Sequence, residues 1–324
     1  MTHQFVQQTW EQVLEEATRL SLAWVGEIVL NQSRIQVYRN CPRKFYWKFV
    51  ENLEPERIAL NLEVGSGTHE GLAQLGAGAD IDTAVGAARE RFRKNLPKRM
   101  LPGDKELYLE SEDLVEKLLR HYVEYWTDQG EMFRPLGNEV AGTVEVGTGT
   151  GIFQRFKTDK FVNAFHGLWI VDHKTAAKMD PREMMKYQMD LQMTSYIYGG
   201  RKLLGVEIGG VIVDFLVKTK VPQFAREAFE RTHKELREFE FNFTGWAEKI
   251  RHDYIEMAHF VEIHDREMST GPWNAFPRNE SECFRYGTCP FRTLCLDPGN
   301  MGLRMEFVKR EEDYVDNADL LKEK

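Results

Sequence analysis

Asp159, Asp172 and Lys174 are the residues of this chain whose types and spacing could do chemistry. In "LWIVDHKTAAK" an Asp and a Lys stand two apart inside an otherwise apolar, strand-like run. Residues i and i+2 of a strand share a face, so Asp172 and Lys174 point one way and Val171 and His173 the other. Asp159 ends the preceding extended segment, with the turn "NAFHG" between. If the two segments pair as a hairpin, two carboxylates converge beside an ammonium. Carboxylate oxygens suit a hard divalent cation, Mg²⁺ or Mn²⁺, which keeps several waters. The lysine can then orient an attacking water and offset charge developing on a phosphate. An ordinary surface salt bridge is the plainer account of the same pair.

Sulfur forms a second group. Cys283, Cys289 and Cys295 cluster near the end of the chain, and Cys41 lies more than two hundred residues earlier. Thiolates in fours suit Zn²⁺ or an iron–sulfur cluster. Zinc sites usually show two short Cys knuckles, which this one-plus-three layout lacks, and buried free thiols are the bland alternative.

The elements that must position these groups follow from periodicity. Residues 5–30 have helical spacing, and "IQVYRNCPRKFYWKFV" forms a second helical stretch. Residues 66–130 read as mostly helix, interrupted at "GAGAD" and "LPKRMLPGDKE". The period then changes: residues 139–146, 151–159 and 168–173 read as strands separated by turns. "VGTGTG" lacks a following Gly-Lys-Ser/Thr and leads into a strand, so it is a hairpin turn and not a phosphate loop. Asp180-Pro181 opens a helix through "GGRKLLG", the run "VEIGGVIVDFLVK" forms another strand, and residues 223–267 read as long amphipathic helix around "FNFTG". The tail after Cys295 is charged and loosely held. The expected organisation is an N-terminal helical segment over 1–30, a main domain over 31–300 and a charged tail over 301–324. The main domain divides into a helical insertion at about 66–135, a catalytic core at about 136–220, a helical region over 221–270 and a cysteine cluster over 271–300.

The chain has 324 residues, 42% apolar and 12% aromatic, enough for a sizeable core. Its 43 basic and 51 acidic residues give a net charge of −8, against a generic nucleic-acid coat but compatible with a local basic groove. "LSLAWVGEIVL" is too short to span a membrane and carries Glu27, and "MTHQFVQQTWEQVLEE" has no basic-then-apolar leader pattern. A cytoplasmic protein of a bacterial, archaeal or phage-infected cell, with no membrane partner, is expected.

Asp159 followed by Asp172-His173-Lys174 resembles the "D…D-x-K" core of the PD-(D/E)XK nuclease superfamily. "GTHEGL" (67–72) resembles the histidine motif of its RecB-type branch, and "QMTSY" (192–196) the Gln-x-x-x-Tyr motif that follows the lysine. Phe156 stands where the family commonly has Gly. The resemblance implies an α/β, restriction-endonuclease-like core, a small mixed sheet flanked by helices, with helical elaborations. It implies a Mg²⁺- or Mn²⁺-dependent deoxyribonuclease, exonuclease before endonuclease, in DNA recombination, repair or CRISPR-type processing. His69, Asp159 and Asp172 would be metal ligands, with the His173 backbone carbonyl a further one. Lys174 would position the water, and Gln192 and Tyr196 would steady the lysine or the scissile strand. The cysteine layout resembles the iron–sulfur staple of AddB-like and CRISPR-associated RecB-type nucleases, which implies a [4Fe–4S] cluster on Cys41, Cys283, Cys289 and Cys295 joining the N- and C-terminal regions. The implied partners are single-stranded DNA or the ends of duplex DNA, with a homo-oligomer or recombination and CRISPR proteins left open. A non-catalytic DNA-binding protein or a zinc-stabilised scaffold of the same fold is the alternative.

Two basic stretches are candidates for DNA contact. "PRKFYWK" supplies Arg43 and Lys44 among aromatics, as single-strand stacking needs, although core packing explains the aromatics equally. "RERFRKNLPKR" concentrates Arg91, Arg93, Lys94, Lys98 and Arg99 as a candidate phosphate track. Glu145 is a candidate extra acid, or a solvated strand residue.

Overall fold

Short runs of Val, Ile and aromatic residues build the sheet, and the computed structural model describes residues 27–56, 60–94, 104–130, 132–263, 274–285 and 287–309. The chain divides into two units. Of the described residues, the first takes 27–56, 145–154 and those from 238 to 309; the second takes those from 60 to 144 and 155–237. In chain order the elements begin with β1 (Ile28–Leu30), α1 (Gln32–Asn40), α2 (Pro42–Phe45, passing into a π-helical turn over Tyr46–Val50) and β2 (Leu53–Pro55). Next come α3 (Leu60–Gly76), α4 (Ile81–Lys94), α5 (Asp104–Asp128), β3 (Pro135–Glu145), β4 (Ile152–Ala164) and β5 (Gly167–Ala176). Then follow α6 (Pro181–Met185), α7 (Leu191–Leu204), β6 (Val211–Val217), β7 (Gln223–Phe229) and α8 (His233–Ile263). The described chain closes with α9 (Arg292–Leu296), α10 (Met301–Arg304) and β8 (Phe307–Lys309).

In the second unit the strands run β3-β4-β5-β6-β7, and the sheet is mixed. β4 and β5 pair antiparallel, β5 and β6 parallel, β6 and β7 antiparallel. The parallel step needs a long crossover, which α6 and α7 supply. β6, "VIVDFLV", is buried along its whole length, as a strand covered on both faces must be. A two-residue turn joins β4 to β5, with Phe165 (φ 47°) and His166 (φ 62°) both left-handed, the conformation that matches strand twist in a tight hairpin. It fixes the register at Ala164↔Gly167 and Lys160↔Val171. The helices α3, α4 and α5 share an apolar core with Leu216 and Phe224 of the sheet. On the other face, α7 approaches β4 closely enough that a Cβ at Gly200 would lie 3.4 Å from the Phe161 ring.

Several expected elements differ. The segment 180–204 is not one helix: Asp180 caps α6, a 3₁₀ turn covers Lys186–Met189, and Asp190 starts α7 afresh by accepting from the N–H groups of Gln192 and Met193. A carboxylate competing for backbone donors ends one helix as it begins the next. Residues 223–229 form strand β7 and not helix, because pairing with β6 overrides their charged composition. α8 starts after Thr232, which forms a reciprocal capping pair with Glu235. It then runs through "FNFTG" unbroken. In the first unit, Ile28–Leu30 is a strand pairing in parallel with 152–154, where helix was expected, and the expected helix before it lies outside the described residues. Residues beyond Cys295 are partly ordered into α10 and β8, the latter pairing with β2. "VGTGTG" is the expected hairpin turn, with Glu145 accepting from the backbone of Thr150 and Gly151 and so occupied as a turn acceptor.

The run "VGSGTHEG" in α3 has a packing reason. Gly67 and Gly71 face the neighbouring helices: an added Cβ would lie 2.9 Å from the Ala88 carbonyl oxygen or 2.4 Å from Leu119. Gly65, one turn before His69 on the same side of the helix, would put its Cβ 3.3 Å from Thr175 of β5. The helix is thus held close on two sides, which seats His69. Gly67→Ala is expected to destabilise the protein by about 1–3 kcal/mol in urea unfolding, overcrowding outweighing the gain in helix propensity.

Candidate active site

β4 and β5 set the site. Continuing their register by one position puts Asp159 opposite Asp172, and cross-strand partners share a face. Asp159 Oδ2 accepts from the backbone N–H of His173 at 2.7 Å. His69, from α3, brings Nδ1 to 3.3 Å from the same oxygen. Lys174 Nζ stands 2.7 Å from Asp172 Oδ2 and donates to Gln192 Oε1 at 2.8 Å. Gln192 in turn donates from Nε2 to the Tyr196 hydroxyl at 2.7 Å. His69, Asp159, Asp172, Lys174, Gln192 and Tyr196 therefore form one continuous polar array. Gln192 and Tyr196 lie one turn apart on α7.

Electrostatics separates the two carboxyls. Burial pushes Asp172 up to about 6; Lys174 works against that shift and the neighbouring charge of Asp159 adds to it. Burial also opposes ionisation of Asp159, but His69 and His173 outweigh it and hold this carboxyl well below the usual range. His69 is raised because, despite burial, Asp159 favours the imidazolium. Lys174 is likewise raised, Asp172 overcoming the cost of burial. One proton thus resides on Asp172 in mildly acidic solution while Asp159 stays ionised.

His173 has a different place from the rest. Its side chain faces away from the acids, 99% buried, with Nδ1 3.1 Å from Asp214 Oδ2. Asp214 also accepts from the Tyr122 hydroxyl at 2.5 Å and lies 3.3 Å from Arg226 Nε. The Arg226 guanidinium stacks on Trp126 at 3.5 Å and Phe133 at 4.1 Å. Lys160, buried on the same face, is pushed down to about 8 by desolvation. Burial, then Lys160, lowers His173 and favours the neutral ring. Residue-by-residue reading of the sequence missed this layer, although two signals were present: a lone Asp inside "VIVDFLV", and a Lys directly after Asp159.

An open cavity of about 440 Å³ adjoins Asp159 and His69, lined also by Ser66, Glu70, Arg91, Glu139, Lys157 and Thr175. Of the expected phosphate track, Arg91 stands 3.6 Å from Glu63 and Arg93 donates to Glu112, so both are partly neutralised within the protein. Lys94 is exposed, and Lys98 and Arg99 lie outside the described residues.

In the first unit, Cys41, Cys283, Cys289 and Cys295 line one small cavity with Lys44. None of the four forms a disulfide. The Asn279 N–H points to Cys41 Sγ at 3.4 Å and Trp47 Nε1 to Cys295 Sγ at 3.3 Å. Burial raises Cys289 and pushes Cys295 up to about 11. Arg43 does not reach a surface groove: it is buried beside these sulfurs, donates from Nε to the Phe276 carbonyl at 2.8 Å, and is lowered to about 10 by burial.

The donor chemistry fits a hard cation at the carboxylates. A buried acid, Asp172, stands beside the half-buried Asp159, and Asp172 Oδ2, although close to Lys174, accepts no well-directed hydrogen bond. Among the described residues no three His, Cys, Asp or Glu side chains form a ready-made ion cage, so a cation there would take much of its shell from water and substrate, as Mg²⁺ does.

A mixed α/β sheet carrying paired acids and a lysine on adjacent strands defines a nuclease-type core. The family model of the PD-(D/E)XK nuclease superfamily matches residues 29–296, and the chain belongs to that superfamily. Among solved structures, a "Putative exonuclease" from Eubacterium rectale is 15% identical, with a TM-score of 0.45 over 78% of this chain and 89% of that one. SSO0001 is 11% identical, with a TM-score of 0.33 over 82% and 93%. At such scores neither likeness carries weight. No curated protein matches the chain.

The raised carboxyl gives a pH prediction. Its folded-state pKa lies above the ordinary value of 3.8, so the metal-free folded state holds the extra proton between about pH 4 and 6. A cation that needs Asp172 ionised must displace that proton. Mn²⁺ affinity should therefore rise with pH through about 6, with release at pH 5 of about one proton from Asp172 and, where His69 ligates the ion, of a second from its imidazolium. Calorimetry in buffers of different ionisation enthalpy measures the proton release, and Asp172→Asn should lower it by about one proton per ion.

Proposed function

We propose that this chain is a Mg²⁺- or Mn²⁺-dependent deoxyribonuclease that hydrolyses DNA from its ends. The observation that carries this is Lys174 Nζ held between Asp172 and Gln192, on the face it shares with Asp159. An ammonium has three donors. Gln192 accepts from one and Asp172 pairs with the charge, which leaves a donor to direct a water or a phosphate oxygen. Asp159 and Asp172 would hold the cation, with His69 and the His173 carbonyl as further ligands. When bound, the ion lowers the pKa of a water and stabilises charge on the phosphate. Tyr196 steadies Gln192, and Gln192 steadies the lysine. The preference for ends rests on the resemblance to the RecB-type branch, and the same resemblance supports a role in DNA recombination, repair or CRISPR-type processing.

Asp159→Ala and Lys174→Ala should each lower Mn²⁺-dependent cleavage of labelled linear DNA by about 10²–10³-fold or more, with an unchanged circular dichroism spectrum. Closed circular DNA should survive, and its cutting would make the enzyme an endonuclease. Full activity in Lys174→Ala would refute the site.

The four cysteines, on this proposal, hold a [4Fe–4S] cluster. Its support is four thiols around one cavity with N–H donors on two of the sulfurs. Protein purified without oxygen should be brown and carry about four irons per chain, and Cys41→Ser should lose them. A colourless protein containing zinc would favour the zinc-stabilised alternative.

A further inference from the structure

Lys157 and Glu139 belong to none of the roles assigned above, yet both line the cavity beside Asp159. Lys157 stands two residues before Asp159 on β4, so the two side chains share a face about 7 Å apart along the strand. Its side chain is 51% exposed and forms an ion pair with Glu139 of β3, which is 33% exposed. Glu139 has φ 50°, a left-handed backbone that a non-glycine residue keeps only when its surroundings hold it there. An ion pair this exposed is weak. A strained residue thus keeps a carboxylate on a flexible amine that lies one strand step from the reacting acids.

We infer that Lys157 contacts a phosphate of the nucleic-acid backbone next to the scissile one, and that Glu139 is an internal anion occupying the amine until that phosphate displaces it. This rests on the nuclease reading and gives the cavity a ligand: the backbone of the strand being cut. The exchange swaps one anion for another on the same ammonium and moves the freed carboxylate into solvent. Phosphate charge, unlike the internal carboxylate, also releases condensed counterions when it is neutralised, which drives the exchange at low salt.

The test uses the full chain with a fluorescent single-stranded oligonucleotide, measured by anisotropy across a salt series and by steady-state cleavage in Mn²⁺. Lys157→Gln should weaken binding about five- to tenfold at low salt and reduce the slope of log affinity against log salt by about 0.7. It should raise KM far more than it lowers kcat, and Lys157→Arg should restore the slope. Glu139→Gln should tighten binding several-fold. An unchanged salt slope in Lys157→Gln overturns the inference. So does a Glu139→Gln enzyme that binds DNA normally but needs more Mn²⁺, since that would make Glu139 a cation ligand. A wild type that binds without cleaving sinks the nuclease reading, and the salt slopes still decide the fate of Lys157.

Discussion

A buried carboxyl held directly against a half-buried one costs free energy, and the site is organised around that cost. A two-residue turn fixes the register of β4 and β5, and with the register comes the opposition of Asp159 and Asp172. A slip of one residue between the two strands would put the acids on opposite faces of the sheet. Once they are paired, the rest follows as compensation: the His173 amide and His69 on Asp159, Lys174 on Asp172, and Gln192 holding the lysine. The two acids are treated unequally. Asp159 has the more favourable partners and ionises easily; Asp172 bears the desolvation and keeps its proton to about pH 6.

Behind the same strand lies a second polar layer. His173, Asp214, Tyr122 and Arg226 cross from β5 through β6 to β7 and up to α5, with Asp214 as their common acceptor. Burial works against ionisation of Asp214, but the hydrogen bond with His173, the charge of Arg226 and the bond from Tyr122 outweigh it. In a low-dielectric interior the interactions of such a network are strengthened. Here they tie the strand that carries Asp172 and Lys174 to its neighbours by side chains as well as by backbone. A residue that faces away from the reaction thereby helps to hold the ones that face it.

Much of the site was legible in the sequence because it depends on local rules. Asp172 and Lys174 two apart had to share a face of a strand, and Gln192 and Tyr196 four apart had to share a face of a helix. What was not legible depends on tertiary pairing. "QFAREAF" carries charges that favour a surface helix, and only β6 makes it a strand. Asp190 in "QMDLQMTSY" looks like a mid-helix residue until its carboxylate is seen capping the next helix. Arg43 looked like a surface cation, yet the chain buries it among sulfurs. The ion pairs of Arg91 and Arg93 come from helices distant in sequence, where no spacing rule reaches.

The glycine-lined helix α3 has a consequence for the ion the proposed site would accept. Its backbone meets other elements on two sides, which limits how far the helix that carries His69 can draw back from Asp159. Small ions with short, strictly octahedral bonds tolerate such a seat, whereas Ca²⁺ needs longer bonds and more ligands gathered flexibly around it. Discrimination by radius would then come from helix packing and not from the identity of the ligands.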